Sequence, residues 1–247
     1  MRTNDAMTAG TITITGFDGD EIEAYEARPV GREPHGGVVV IHHMPGYDDA
    51  TKEITRRFAV HGYAAIMPNL YWRDAPGAAP DDAAAANRAS GGIPQDRLLG
   101  DLAGAAAHLR ALPGANGKVG VIGYCSGGRQ AFLAACTLDF DAAVDCYGAF
   151  VAGTPPEGLP FNMQPLVGLT PDLNCPLLGL FGADDRYPSA EHNAELEAAL
   201  EKHGKTYEFH TFEGAGHAFF ATDRPAYRPK AAVEGWQRIF DFYGRYL

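Results

Sequence analysis

The residues most able to do chemistry lie in a short glycine-rich turn, Gly123-Tyr124-Cys125-Ser126-Gly127-Gly128. The turn stands between an apolar, β-branched run (Lys118–Tyr124) and a stretch with helical apolar spacing (Gly127–Leu138). A strand that bends abruptly into a helix holds its central residue in strained backbone, and glycines on either side let the chain pack against itself without side chains. The central side chain then projects beside the free amides and positive end of the helix dipole. A thiol in that field is stabilised as thiolate, the nucleophilic form. The symmetric G-x-nucleophile-x-G frame selects Cys125; a frame shifted by one would select Ser126 instead. Cys136, Cys146 and Cys175 fall on the following helix or in and beside strands, and read as small core residues.

A cysteine nucleophile needs a base, and the base needs an orienting acid. Gly214-Ala215-Gly216-His217 directly follows the strand-like run Thr206–Glu213, which makes His217 the candidate base. Gly182-Ala183-Asp184-Asp185 ends the apolar run Pro176–Gly182, the expected place for the acid in a nucleophile–acid–histidine chain order. Spacing alone does not separate the two aspartates. Asp184 is favoured, because Asp185 precedes Arg186 and could pair with it at the surface.

Such groups must be carried on strand ends, and the chain supplies the strands. Thr11–Thr15 and Glu21–Ala27 flank the turn-rich Gly16–Asp20 and predict a hairpin. The run from Gly36 to His43 is continuously apolar up to its histidines, as a strand covered on both faces should be. Predicted helices span Lys52–His61, Asp82–Ala89, Gln95–Leu112, Ser189–His203 and Ala226–Leu247, alternating with strands at Tyr63–Asn69, Ala142–Gly148 and those named above. Strand–helix alternation implies an α/β fold with a mostly parallel sheet, helices on both faces and an antiparallel hairpin at one edge. Two long excursions, Asp74–Gly92 and Ala149–Asn174, interrupt the pattern, the second with five prolines. The chain reads as a single domain over 1–247.

Composition narrows the function. The net charge of −11 opposes nonspecific binding to nucleic acid or anionic membranes. No apolar run is long enough to cross a bilayer, and the N-terminus has no signal-peptide core. The four cysteines show no CxxC pairing, so neither a zinc site nor a disulfide framework is expected, and reduced thiols in a cytoplasm are. No cofactor or metal is implied.

The segments GKVGVIGYCSGG, HGYAAIMPNLYWRDAPG, GADDRYP and EGAGHAF together resemble the dienelactone hydrolase (carboxymethylenebutenolidase) family of α/β-hydrolases, from about Thr11 to Leu247. The resemblance implies Cys125 as nucleophile, His217 as base and Asp184 as its partner. It places His43 where the family has an active-site glutamate, and Arg88 where it has a substrate-binding arginine. The family's other arginine is replaced by Phe219-Phe220-Ala221, which suggests a more apolar pocket wall. Backbone amides of Met44 and Ser126 are the expected oxyanion-hole donors. The expected activity is hydrolysis of a small ester or lactone through an acyl-thioenzyme. Thioester hydrolysis or acyl transfer on the same triad, or small-molecule binding without turnover, are the alternatives.

Overall fold

A computed structural model describes residues 6–30, 36–158 and 163–247. The chain packs as two compact units: residues up to Gly120 together with Leu247, and Val121–Tyr246.

In the first unit, β1 (Met7–Thr15) and β2 (Glu21–Pro29) form the expected antiparallel hairpin, with Thr15 opposite Glu21 and Met7 opposite Pro29. β1 starts four residues earlier than its alternating pattern predicts, because Met7–Gly10, which lacks that alternation, pairs along β2 through its backbone. β3 (Gly37–Ile41), α1 (Asp49–Val60), β4 (Ala64–Pro68), α2 (Pro80–Ala89) and α3 (Gln95–Arg110) complete this unit. Its strands lie in the order β1-β2-β4-β3, with β3 and β4 parallel and β2 antiparallel to β4. Every residue of β3 and β4 is buried, as their unbroken apolar sequence requires.

One ionic latch ties the hairpin turn to the helices. Asp101 on α3 is fully buried; Arg73 donates to both its oxygens (2.8 and 3.0 Å), and the Phe17 amide donates at 2.9 Å. Arg73 also reaches Asp20 at 2.7 Å. Gly16 makes room for this: a Cβ there would sit 2.3 Å from Asp101 Oδ1.

The second unit takes up β5 (Val119–Tyr124) and continues through α4 (Ser126–Thr137), β6 (Ala142–Cys146), β7 (Leu177–Gly182), α5 (Ala190–Lys202), β8 (Tyr207–Phe212) and α6 (Pro229–Tyr246). The strand order is β5-β6-β7-β8, with β6, β7 and β8 parallel. α6 buries one stripe, Trp236, Ile239, Phe242 and Tyr243, and the Tyr243 hydroxyl donates to the Val121 carbonyl at 2.9 Å. The stripe follows helical periodicity, as an amphipathic helix on a core demands. The proline-rich stretch 149–174 lies partly outside the described residues; its described part includes a 3-10 turn at Val167–Asp172. Among the described residues no helix is long and apolar enough to cross a membrane.

The α/β reading of the sequence therefore holds, and so does its antiparallel N-terminal hairpin. Elements end within a few residues of their expected bounds. The helix expected over Lys52–His61 begins at Asp49, because Asp48 caps it: its Oδ1 accepts the Thr51 amide at 2.8 Å.

Candidate active site

Cys125 joins β5 to α4 with φ 57° and ψ −119°, a left-handed conformation that a side chain tolerates at a cost of about 1–3 kcal/mol. The surroundings enforce it. Its amide donates to Cys146 O on β6 at 3.0 Å, and its carbonyl accepts from Gly128 (3.0 Å) and Arg129 (3.3 Å). The glycines act as the sequence suggests: a Cβ on Gly123 would lie 1.9 Å from the Gly127 carbonyl oxygen. One on Gly128 would lie 2.3 Å from Asp145 Oδ1 and 2.9 Å from Cys146 O. Cys125 is half-buried at the N-terminus of α4, while Cys136, Cys146 and Cys175 are buried. Burial pushes the thiols of Cys136 and Cys175 up to about 12, so those two stay protonated and inert.

His217 hydrogen-bonds the Cys125 side chain on one hand and a carboxylate on the other. That carboxylate is Asp185, not the expected Asp184: His217 Nδ1 lies 2.8 Å from Asp185 Oδ2. The reason is a tight turn after β7, closed by the Asp185 amide donating to Gly182 O at 3.2 Å. The turn points Asp184 into solvent and returns Asp185 inward, where it is 8% exposed. Asp185 Oδ1 then accepts the Tyr187 amide at 2.9 Å, which fixes the carboxylate plane. Nor does Arg186 pair with Asp185; its guanidinium lies over the Tyr187 ring, 5.6 Å from the centroid. Burial disfavours the imidazolium of His217, but its hydrogen bonds to Asp185 and Cys125 outweigh this and raise its pKa to about 10. The arrangement therefore favours a proton on His217 facing the sulfur.

The loop that carries His217 is locked to the acid loop and the core. The Asp184 amide donates to Ala215 O at 2.9 Å, and Gly182 permits the approach, since a Cβ there would sit 2.4 Å from that oxygen. Phe219 and Phe220, expected as an apolar pocket wall, are 0% and 3% exposed. They are core anchors instead. Phe219 packs on Phe212 and Tyr147 (both 5.2 Å between centroids), and Phe220 on Trp236 (5.7 Å). Two consecutive phenylalanines after a turn satisfy an apolar wall and a core equally well in sequence; the close approach to Gly235 of α6 decides for the core.

His43, Met44 and Arg88 belong to the first unit. His43 is buried, and its Nε2 meets Asp48 Oδ2 at 2.8 Å. Burial would raise the Asp48 carboxyl, but hydrogen bonds from His43 and Thr51 hold it well below the usual range. A histidine in the place of the family's glutamate thus comes with its own carboxylate. Met44 precedes a cis proline in a turn where Gly46 (φ 72°) and Tyr47 (φ 44°) are left-handed. Arg88 is exposed on the last turn of α2, where its Nη1 donates to the Met44 thioether at 3.1 Å. His42, by contrast, is a structural residue. Burial pushes its pKa down to about 4, Nδ1 donates to His43 O (3.0 Å), and Nε2 accepts the Leu70 amide (3.3 Å).

Sequence reasoning missed two residues near His217. Tyr147, with φ 46°, sets its ring 5.2 Å edge-on from His217. Asp145 is a fully buried carboxyl at the end of β6. Its signal was present: a lone acid in the otherwise apolar strand Ala142–Cys146.

Comparisons with known proteins identify the family and the fold. The sequence pattern of the dienelactone hydrolase family matches residues 22–247. A relative from Escherichia coli K12, named "Putative carboxymethylenebutenolidase", is 34% identical over 98% of this chain and 89% of its own length. The carboxymethylenebutenolidase of Pseudomonas putida is 30% identical, over 96% of each chain. Among solved structures, that of the "Putative Dienelactone Hydrolase" from Klebsiella pneumoniae superposes with a TM-score of 0.85 at 30% identity, covering 98% of this chain and all of the other. A full-length sequence match and a full-length structural match thus converge on one answer: the chain is an α/β-hydrolase-fold enzyme that belongs to the dienelactone hydrolase family.

Proposed function

We propose that the enzyme hydrolyses small carboxylic esters or lactones through an acyl-thioenzyme on Cys125, with His217 as acid–base and Asp185 as the group that orients it. The observation that carries the reading is the joined set: a thiol on a strained strand–helix turn, hydrogen-bonded to an imidazole that Asp185 holds at 2.8 Å. Relatives named for carboxymethylenebutenolidase activity, which is the opening of a lactone, supply the substrate class.

The chemistry follows from who holds the proton. With the thiol proton on His217, the Cys125 sulfur attacks the carbonyl carbon, and the carbonyl π-electrons move onto oxygen. The Ser126 amide, at the first turn of α4, donates to that oxyanion. Collapse breaks the acyl C–O bond, and His217 gives its proton to the departing oxygen; in a lactone this opens the ring and leaves both ends on the enzyme. A water then loses a proton to His217 and attacks the thioester. The C–S bond breaks, the sulfur leaves with its electron pair, and the acid is released. Throughout, Asp185 keeps Nδ1 protonated and Nε2 facing the sulfur.

The test is hydrolysis of 4-nitrophenyl acetate and of a small unsaturated lactone by wild type and Cys125→Ala. The variant should lose turnover to the background rate, and wild type quenched during turnover should carry one acyl group on Cys125 by peptide mass mapping. Undiminished turnover in Cys125→Ala, or acylation elsewhere, refutes the mechanism.

A further inference from the structure

We infer that Asp145 is a positioning residue for His217, acting through a turn that presses Tyr147 against the imidazole. The inference rests on the role given to His217 above.

The chain of contacts is short. Asp145 Oδ1 accepts the Gly148 amide at 2.7 Å, closing residues 145–148 into a turn. Inside that turn Tyr147 is held at φ 46°, a conformation that a tyrosine does not choose unaided. Its amide is spent on Leu180 O of β7 at 2.9 Å, so the backbone is fixed on both sides. The ring thereby meets the base loop twice. Its plane stands edge-on to His217 at 5.2 Å, and its hydroxyl hydrogen-bonds the backbone of Phe220, three residues on. Tyr147 thus contacts both the imidazole and the loop that carries it.

The packing shows that the carboxyl is built in. Asp145 is fully buried, and Oδ2 has no hydrogen-bond partner among the described residues. Two glycines border it: a Cβ at Gly128 would lie 2.3 Å from Oδ1, and one at Gly148 would lie 2.4 Å from Oδ1 and 2.8 Å from Oδ2. A buried acid with one oxygen unsatisfied is costly, and a shape-matched apolar residue would be cheaper; a turn that must be closed explains its presence. The ionisable groups that act on it are His217 from the loop after β8 and Cys146 from its own strand. Burial raises the Asp145 carboxyl to about 7, against the pull of the Gly148 amide and the His217 charge. Oδ1 can accept the Gly148 amide whether the group is ionised or neutral.

The experiment uses Asp145→Ala, Asp145→Asn, Tyr147→Leu, and the double variant Asp145→Ala/Tyr147→Leu. Asp145→Ala and Tyr147→Leu should each lower kcat by about 10- to 100-fold with KM changed less than about threefold, the cost of misplacing a base. The double variant should be no slower than the worse single one, since both break the same linkage. Asn can still accept the Gly148 amide, so Asp145→Asn should recover most of the loss. Wild-type kcat in Asp145→Ala, or losses that multiply in the double variant, overturn the proposal. Alkylation of Cys125 by iodoacetamide across pH 5–10 reads the thiol–imidazole pair without turnover. Asp145→Ala and Tyr147→Leu should shift that profile alike, and an unshifted profile in both counts against the linkage even if the ester assay fails. Wild type that alkylates normally but turns over no ester would sink the hydrolase reading instead.

Discussion

Replacing Asp145 by asparagine keeps the shape of the side chain and its acceptor for Gly148, and removes only the charge. The consequence for stability follows from burial. In the folded chain the carboxyl titrates near 7, against 3.8 for an exposed aspartate. Its folded value is raised, so the folded state binds the proton more tightly, and stability falls as pH rises through the window between 3.8 and about 7. At about 1.4 kcal/mol for each tenfold change in proton affinity, full ionisation costs the fold about 4 kcal/mol. Asparagine does not incur it. Urea unfolding of both proteins between pH 4.5 and 8.5 should give curves that diverge, with the variant gaining about 3–4 kcal/mol on wild type over that range. At pH 8 Asp145→Asn should equal or exceed wild type in stability, although buried acids are ordinarily costly to alter. Parallel curves would mean that Asp145 keeps an ordinary affinity for its proton in the fold, and the burial argument would fail.

Other perturbations separate further parts of the structure. Asp185→Asn should lower kcat by about 10²–10⁴-fold, while the exposed Asp184→Asn stays within about threefold; equal losses, measured by ester turnover, would undo the assignment of the acid. Arg73→Met leaves the buried Asp101 carboxylate with the Phe17 amide alone and should cost about 3 kcal/mol at pH 7 by urea unfolding. A loss below about 1 kcal/mol would refute the charge argument.

The positions of the proposed catalytic groups were legible because each sits where a periodic pattern stops. Cys125 follows an apolar strand and opens a helix, and His217 follows β8 within a glycine-flanked loop. Finer choices were not legible, since they depend on where a turn points its side chains. Asp184 and Asp185 differ by one residue, and only the Gly182–Asp185 hydrogen bond sends one outward and the other in. Phe219 and Phe220 are apolar wherever they face; Trp236 and Gly235, far along the chain, make them core. The Asp48 partner of His43 and the Asp145–Gly148 hydrogen bond are likewise contacts across turns, which hydrophobic periodicity does not encode.

The crowding at the elbow also limits how this enzyme can be retuned. Side chains cannot be added at Gly123, Gly128 or Gly148, because backbone atoms or a buried acid already fill the space. The half-buried handles along this stretch are Ser126, Arg129 and Gln130. Arg129 is engaged in holding the Phe150 and Gln164 carbonyls, so altering it would loosen the proline-rich excursion as well. Ser126 is thus the place where a designer, or natural drift, can vary chemistry beside Cys125 without rebuilding the scaffold that presents it.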